Sequence, residues 1–192
     1  MSDFPTNNAW SGTVASFLSQ TEETLCHALA THYRRVSLGD ITQSHQTAWL
    51  DSVRITLHAL KQLTDYVSAA LGWTIVFEYE LPRERGRRPD IVILTDSVLF
   101  VVEAKGYASV EKAHVDQVQA YARDLIAYQS KTQSLYGSAV VPVLLLTRGT
   151  NLRMSVGTVQ VVSANFFADL LAAYTTRAPR NVAEPASWLL GE

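Results

Sequence analysis

The sequence predicts an α/β fold with a mixed central sheet and helices on both of its faces. Three observations lead to this prediction. Apolar residues recur at helical spacing through the first third of the chain, the period changes to that of strands at Trp73, and a helical segment then separates two further strand-like runs. The predicted order of elements is α-α-β-β-β-α-β-β-α, which is typical of a mixed sheet covered by helices.

Two amphipathic helices are predicted before the sheet. Residues 1–10 are expected to form an arm, and the first helix is expected to cover about residues 11–34. Gly39 interrupts the helical pattern. The second helix is expected to cover about residues 44–71 and to begin at Ser44, because serine is a favourable N-cap residue.

Three strands should follow in close succession. Residues 73–81 alternate as a strand does, and residues 82–88 form a charged turn. Residues 91–94 are β-branched or aliphatic, residues 95–97 suit a tight turn, and residues 98–105 form the next strand. The short turn predicts that the last two strands pair as a hairpin.

The second half of the sequence alternates helix and strand. Ser109 is expected to cap a helix that reaches about residue 130, and residues 140–147 form a buried strand because they are almost entirely aliphatic. Residues 156–163 are predicted as one more strand and residues 165–174 as a short helix.

We expect one domain over the whole chain. The predicted boundaries are an arm at 1–10, an N-terminal helix and loop at 11–43, a core at 44–174, and a tail at 175–192 that serves as a linker or docks on the domain.

Composition limits the functional class. The single cysteine, Cys26, excludes an intramolecular disulfide framework. The net charge of −2 argues against a protein that coats nucleic acid through bulk electrostatics. The sequence has neither a signal-peptide pattern nor an apolar run long enough to cross a bilayer, so we expect a cytoplasmic protein without a membrane partner.

The residues that carry chemistry lie on the predicted hairpin. Glu103 and Lys105 are two apart in a strand, so they project from the same face, and Asp90 stands at the start of the preceding strand. A carboxylate and an ammonium group on a buried strand are costly unless they pair or bind something. A structural Glu–Lys pair on an exposed edge strand is the alternative, but the aliphatic residues around it argue against an exposed edge.

This set suits phosphodiester hydrolysis. Two carboxylates, Asp90 and Glu103, with the backbone carbonyl of Ala104, offer oxygen ligands to a hard divalent cation such as Mg²⁺. Such a cation polarises phosphorus and acidifies an attacking water. Lys105 would orient that water or stabilise charge on the phosphate.

Pro89-Asp90 followed by Glu103-Ala104-Lys105 resembles the signature of the PD-(D/E)xK nuclease superfamily. The resemblance implies a restriction-endonuclease-like core of the α-β-β-β-α-β kind, a Mg²⁺ or Mn²⁺ cofactor, and cleavage of DNA or, less often, RNA. It therefore implies a metal-dependent phosphodiesterase. Endonuclease and exonuclease action both stay open.

The helix after the hairpin extends the resemblance. Gln117 and Tyr121 are spaced i, i+4 on one helix face, and they look like the QxxxY element of RecB-like and lambda-exonuclease-like members, which implies that they flank the catalytic centre. Ordinary helix packing is the alternative. The whole chain also looks similar to the N-terminal nuclease domain of bacterial Schlafen-group-3-type DNA/RNA helicases. That likeness implies a helicase or ATPase partner and a role in phage defence or DNA repair, while a homo-oligomer stays open.

One departure from the family pattern concerns a further acid. Many members carry a glutamate near the start of the helix before the first core strand, and this chain has none there. Glu78 and Glu80, on one face of the strand predicted at residues 73–81, are the candidates to replace this glutamate. We favour Glu80 because it is nearer the charged turn. The number of metal ions is therefore left open.

A strip of arginines precedes Asp90. Four arginines fall within six residues of the charged turn, and they are either a solvated turn or contacts to substrate phosphates: Arg83, Arg85, Arg87 and Arg88. Two other functions stay open on the same scaffold, an RNase and a non-catalytic interaction domain. The sequence contains no P-loop and no Gly-x-Ser-x-Gly motif, which excludes those two routes to catalysis.

Overall fold

The computed structural model describes residues 7–81, 86–137, 139–174 and 188–189, and a seven-stranded mixed sheet organises them. The strands are β1 (Trp10–Thr13), β2 (Thr74–Phe77), β3 (Ile91–Leu94), β4 (Leu99–Lys105), β5 (Val140–Leu146), β6 (Arg153–Val156) and β7 (Val159–Ser163). Their order in the sheet is β1-β2-β3-β4-β5-β7-β6. Strands β1 to β4 are antiparallel, β4, β5 and β7 are parallel, and β6 returns antiparallel to β7. The predicted α/β fold with a mixed sheet is confirmed.

Six helices in the described residues cover the sheet: α1 (Val14–Leu18), α2 (Glu22–Val36), α3 (Gln43–Thr64), α4 (Lys112–Tyr128), α5 (Ser130–Leu135) and α6 (Phe167–Ala172). Two short 3-10 helices lie at Ser68–Gly72 and Ala164–Phe166. Within these described elements, none is both long and apolar enough to pass through a lipid bilayer.

Each face of the sheet has its own hydrophobic core, because successive strand residues point to opposite faces. On one face, Ile93, Phe100 and Val102 pack with residues of α1, α2, α3 and α6. On the other face, Val92 and Val101 pack with residues of α4. The three central strands β3, β4 and β5 are therefore covered on both sides, which explains why their sequences are nearly continuous apolar runs.

The predicted hairpin forms as expected. Strand β3 pairs antiparallel with β4, with Ile91 opposite Val102 and Leu94 opposite Leu99. The turn between them is closed by Thr95, whose side-chain oxygen accepts hydrogen bonds from the N–H groups of Ser97 and Val98. This register places the residue before Ile91 beside Glu103.

The single N-terminal helix predicted at residues 11–34 is wrong. The chain forms β1 on the sheet edge, then the short α1, and only then α2. Two threonines cause the interruptions, because the Thr13 side chain accepts from the Ser16 N–H and the Thr21 side chain accepts from the Thr24 N–H. The predicted arm also reaches the sheet, since the Ala9 N–H donates to the Phe77 carbonyl.

The second helix is shorter than predicted. It begins at Gln43 rather than at Ser44, because Thr42 and His45 form a reciprocal capping box. It ends at Thr64, and a separate 3-10 helix, Ser68–Gly72, covers the remaining predicted length. The helix expected from Ser109 begins at Lys112, after Glu111 and without a side-chain cap.

The strands predicted at residues 73–81 and 156–163 also differ from the structure. Strand β2 stops at Phe77 because Glu78 adopts a left-handed conformation with φ of 53°. Residues 156–163 form the second half of a hairpin, in which Gly157 (φ of 60°) turns the chain between β6 and β7. The helix α5 was not predicted, and the helix expected at residues 165–174 is divided between a 3-10 turn and α6.

Within the C-terminal tail, Trp188 docks on the domain. Its ring is fully buried, with its centroid 4.7 Å from that of Tyr79, and its Nε1 donates to Thr132 Oγ1 at 3.0 Å. Its carbonyl accepts a hydrogen bond from the side-chain amide of Gln129. Of the two roles predicted for the tail, docking is the one that Trp188 performs, while residues 175–187 and 190–192 lie outside the described residues.

We predict that Trp188→Ala will lower the free energy of unfolding by about 3–5 kcal/mol, because it removes a fully buried aromatic side chain and leaves Thr132 without its donor. Urea denaturation followed by far-UV circular dichroism measures this. The control is Leu189→Ala, which removes a partly exposed neighbour. A loss under about 1 kcal/mol for Trp188→Ala would show that the docking contributes little to stability.

Candidate active site

Asp90 and the Glu103-Ala104-Lys105 segment lie side by side at one end of the central strands. Asp90 is the residue before β3, and its Oδ2 accepts a hydrogen bond from the Ala104 N–H at 2.7 Å. The hydrogen bond follows from the hairpin register, in which Ile91 faces Val102. The sequence prediction that these residues converge is therefore supported by the geometry.

Glu103 and Lys105 project from the same face of β4 and pair with each other. Lys105 Nζ lies 2.7 Å from Glu103 Oε1. Glu103 is 3 % exposed, and its second oxygen, Oε2, is buried without a hydrogen-bond partner. An unpartnered buried carboxylate oxygen costs free energy that the rest of the fold must offset. Glu103 thus keeps one carboxylate oxygen without a hydrogen bond.

A third acid, Glu78, completes the group. Its left-handed backbone ends β2, its N–H donates to the Asp90 carbonyl at 3.0 Å, and its Oε2 lies 3.2 Å from Arg88 Nε. Trp49 of α3 also donates a hydrogen bond to its carboxylate. These contacts place Glu78 at the same end of the sheet as Asp90.

The preference for Glu80 as the additional acid is not supported. Glu80 Oε1 lies 3.5 Å from Nε2 of the buried His32 on α2, and the Glu80 N–H donates to the Asn7 carbonyl. The cause is the left-handed backbone conformation of Glu78. Val76 and Tyr79 pack in the same hydrophobic core although three positions separate them, so the strand alternation shifts at this point.

Burial and mutual repulsion oppose the simultaneous ionisation of the three acids. Burial raises the pKa of Glu78 to about 7, and the charge of Asp90 adds to that rise, while Arg88 opposes it. Burial also raises the pKa of Asp90, against the Ala104 hydrogen bond, and it raises the pKa of Glu103 together with the Asp90 charge. Three carboxyl groups that resist ionisation together are a site where added positive charge stabilises the ionised forms.

Lys105 remains a cation in this setting. Burial acts to lower its pKa, but the Glu103 carboxylate and the hydrogen bond to it outweigh burial, so the pKa of Lys105 is raised. A lysine with a raised pKa stays protonated at neutral pH. It is therefore suited to stabilise negative charge or to donate a proton, and it is unsuited to act as a base.

The residues fit a divalent cation by the chemistry of their donors. In the described part of the chain, no three side chains of the His, Cys, Asp or Glu type converge as a ready-made metal set. The carboxylates are held instead by nitrogen donors, from Ala104 to Asp90, from Lys105 to Glu103 and from Arg88 to Glu78. The unpartnered Glu103 Oε2 is an oxygen donor of the kind that Mg²⁺ and Mn²⁺ prefer.

Helix α4 carries Gln117 and Tyr121, the two residues of the QxxxY resemblance. Gln117 Nε2 donates to Tyr121 Oη at 2.8 Å. Burial and the charges of Glu103 and Asp90 raise the pKa of Tyr121. His114, on the same helix, stacks instead on Tyr107, with ring centroids 5.3 Å apart.

The two described arginines of the strip, Arg87 and Arg88, pair with different acids. Arg87 pairs with Asp124 of α4 at 2.9 Å and lies 5.2 Å from the centroid of the Tyr121 ring. Arg88 turns toward Glu78 instead. The remaining two predicted phosphate contacts, Arg83 and Arg85, lie outside the described residues.

A cleft of about 640 Å³ opens beside the acids, between the N-terminal half of α3 and the ends of β2, β3 and β4. Asp90, Glu78 and Lys105 line it. Aromatic side chains also line the cleft: Tyr33, His45, Trp49 and Tyr107. The sequence pattern does not reveal this group, because its residues are dispersed over two helices and a loop and no local spacing connects them.

Comparison with known proteins leaves the family open. No protein-family model matches the chain, and no curated protein matches its sequence. Among solved structures the chain is similar to protein VC1899 from Vibrio cholerae, with a TM-score of 0.37 and 13 % identity. The match covers 83 % of this chain and 48 % of that one, so the chain spans about half the length of that protein. A likeness at this level adds no argument about fold or function.

The raised carboxyl pKa values predict how stability depends on pH. The folded protein holds a proton on Glu78 more tightly than the unfolded chain does, so protonated Glu78 stabilises the fold. This contribution to the free energy of unfolding is full below the ordinary carboxyl pKa, near pH 4.5, and is lost as the pH rises through about 7. Glu78→Gln should therefore flatten the fall in unfolding free energy between these limits, by about 1.4 kcal/mol for each pKa unit removed. Urea denaturation in EDTA at several pH values measures it. An unchanged pH profile in the variant would contradict the assignment.

Proposed function

We propose that this chain is a divalent-metal-dependent nuclease of the PD-(D/E)xK type that hydrolyses phosphodiester bonds of DNA. The observation that carries the proposal is the hydrogen bond from the Ala104 N–H to Asp90 Oδ2, because it holds the two parts of the motif together across the hairpin. The unpartnered Oε2 of Glu103 beside them supports a ligand role.

The order of elements supports the same proposal. Helix α3 precedes the antiparallel strands β2, β3 and β4, helix α4 follows, and β5 then pairs parallel with β4. This sequence of elements agrees with the α-β-β-β-α-β core of restriction-endonuclease-like proteins. Asp90 precedes the second of these antiparallel strands, and Glu103, Ala104 and Lys105 end the third.

The ligands proposed for Mg²⁺ or Mn²⁺ are Asp90, Glu103 and the Ala104 carbonyl, with Glu78 in place of Glu80 as the additional acid. When bound, the cation supplies Lewis-acid activation of the phosphate and lowers the pKa of a water molecule. In the hydrolysis, the oxygen of water bonds to phosphorus, the bond from phosphorus to one sugar oxygen breaks, and that oxygen leaves with a proton. One product keeps the phosphate and the other gains a hydroxyl group.

The remaining residues of the site act on charge and position. Lys105, held as a cation by Glu103, would stabilise the charge that develops on the phosphate oxygens or protonate the leaving oxygen. Tyr121, positioned by Gln117, has a raised pKa and keeps its proton, so it offers a hydrogen bond to the same region. Helix α4 would thereby bound the substrate from one side.

A role as the cleaving module of a phage-defence or DNA-repair system, next to a helicase or ATPase, remains a prediction from the resemblance. RNA as the substrate and a non-catalytic interaction domain are the alternatives that the experiment below distinguishes. A non-catalytic platform has no need of three buried acids that raise one another's pKa at the mouth of a cleft, and this favours the enzyme.

We predict that Asp90→Asn and Glu103→Gln will each abolish cleavage and weaken Mn²⁺ binding at least tenfold while keeping the fold, because each removes a charged ligand without changing the size of the side chain. Cleavage of linear, circular and single-stranded DNA and of RNA is measured with Mg²⁺, Mn²⁺ or EDTA. The affinity for Mn²⁺ is measured separately by calorimetry. The control is Asp116→Asn, an exposed acid of α4 paired with Lys112. Cleavage of RNA alone would replace the DNase by an RNase, and wild-type Mn²⁺ affinity in both variants would disprove the metal site.

We predict a different result for Lys105→Met. Turnover should fall by about a hundredfold or more, because the group that stabilises developing charge is lost. Mn²⁺ affinity should be kept or increased, since Glu103 loses its competing partner. A variant with full turnover would mean that Lys105 serves only as the partner of Glu103.

A further inference from the structure

An aromatic cluster lies beside the acids and has no part in the proposed reaction. Tyr33 of α2 and His45 and Trp49 of α3 contact one another, with ring centroids 4.8 Å apart for Tyr33–His45, 5.7 Å for Tyr33–Trp49 and 5.9 Å for His45–Trp49. All three rings are partly exposed and line the cleft. Trp49 also packs against the hydrophobic core, and partly exposed aromatic rings that line a cleft are typical of ligand sites.

The cluster is joined directly to the acids. The Trp49 side chain donates a hydrogen bond to the Glu78 carboxylate, and Glu78 in turn contacts Arg88 and the backbone of Asp90. A polynucleotide with one phosphate at Asp90 would therefore have a neighbouring base within reach of the Trp49 ring. Tyr107, half exposed and two residues after Lys105, offers another ring at the same cleft.

We propose that the aromatic cluster stacks an unpaired nucleobase, so that the substrate of this site is a single-stranded polynucleotide or a frayed end. The inference rests on the proposed function, because it concerns the substrate of the same cleft. Bases stack on aromatic side chains only where they are free of their own stack, as in single strands and loops. The cleft volume of about 640 Å³ is in the range that encloses a small ligand and suits about one or two nucleotides.

The charge balance of the cleft favours base stacking over phosphate attraction. Its cations are engaged by acids, with Arg88 on Glu78, Lys105 on Glu103, and Arg148 on Asp51 at 3.3 Å. A surface with so little uncompensated positive charge releases few counterions on binding nucleic acid. The stacking contribution should therefore dominate, and the affinity for a single strand should depend only weakly on salt.

Binding without cleavage tests the inference. A labelled oligo-dT, an oligo-U and a blunt DNA duplex are titrated with the full chain in EDTA, with fluorescence anisotropy as the readout. We expect the wild-type chain to bind both single strands at least tenfold more tightly than the duplex. Trp49→Leu should weaken single-strand binding by about five- to a hundredfold, and Trp49→Phe should keep most of the affinity, since a phenyl ring still stacks but cannot donate to Glu78.

The control variant is Tyr66→Leu, which removes an aromatic ring that is 54 % exposed and lies outside the cleft. Tyr33→Leu is measured in parallel and should also weaken single-strand binding, which keeps the test valid if Trp49→Leu does not fold. Equal affinity for duplex and single strand, or equal losses for Trp49→Phe and Trp49→Leu, would overturn the inference. Single-strand binding through the cluster in a chain that never cleaves would refute the nuclease alone. Cleavage with unchanged binding in Trp49→Leu and Tyr33→Leu would refute the stacking alone.

Discussion

The carboxylate of Glu103 on a central strand is the constraint on which the rest of the site depends. Strand β4 has β3 on one side and β5 on the other, and helices cover both of its faces, so Glu103 is almost inaccessible to solvent. Burying an ionised carboxylate is costly unless charge and hydrogen bonds compensate it. Lys105 compensates one oxygen and the other has no partner. Such an arrangement persists in a fold only where the rest of the structure holds it in place, and here the hairpin with β3 does so.

The break at Glu78 connects this strand chemistry to the helices. A non-glycine residue in the left-handed region costs about 1–3 kcal/mol, and Glu78 offsets that cost with bonds to the Asp90 carbonyl, Arg88 and Trp49. The same break ends β2 and changes which side of the chain faces each core. One backbone conformation therefore brings the third acid to the site, turns Glu80 away to His32, and ties α3 to the sheet.

The elements that the sequence predicted most accurately are those that depend on a short-range pattern. Strands β3 and β4 with their turn could be located within a residue, because aliphatic runs flank a Thr95 turn of recognisable chemistry, and that placement alone brings Asp90 to Glu103. Errors arose where two local signals competed. Helical spacing across residues 11–34 concealed the caps at Thr13 and Thr21, and the valines that recur from Val156 to Val162 concealed the turn at Gly157. The aromatic cluster and the role of Glu78 depend on tertiary contacts between distant segments, which no periodicity encodes.

The pairing of the acids also bears on how a substrate would enter under the proposed function. Glu78 and Glu103 are each paired with a cation, Arg88 and Lys105, while Asp90 is held by a backbone N–H. A divalent cation placed among these acids would compete with both side-chain cations, and the two would then lack negative partners. A phosphodiester supplies that negative charge at the same point. Metal and phosphate would therefore bind with mutual reinforcement, because each compensates the charge that the other leaves unbalanced. In this view the aromatic cluster holds the polynucleotide in place. The cations and acids at Asp90, Glu103 and Lys105 change partners only when the divalent cation and the phosphodiester are both bound.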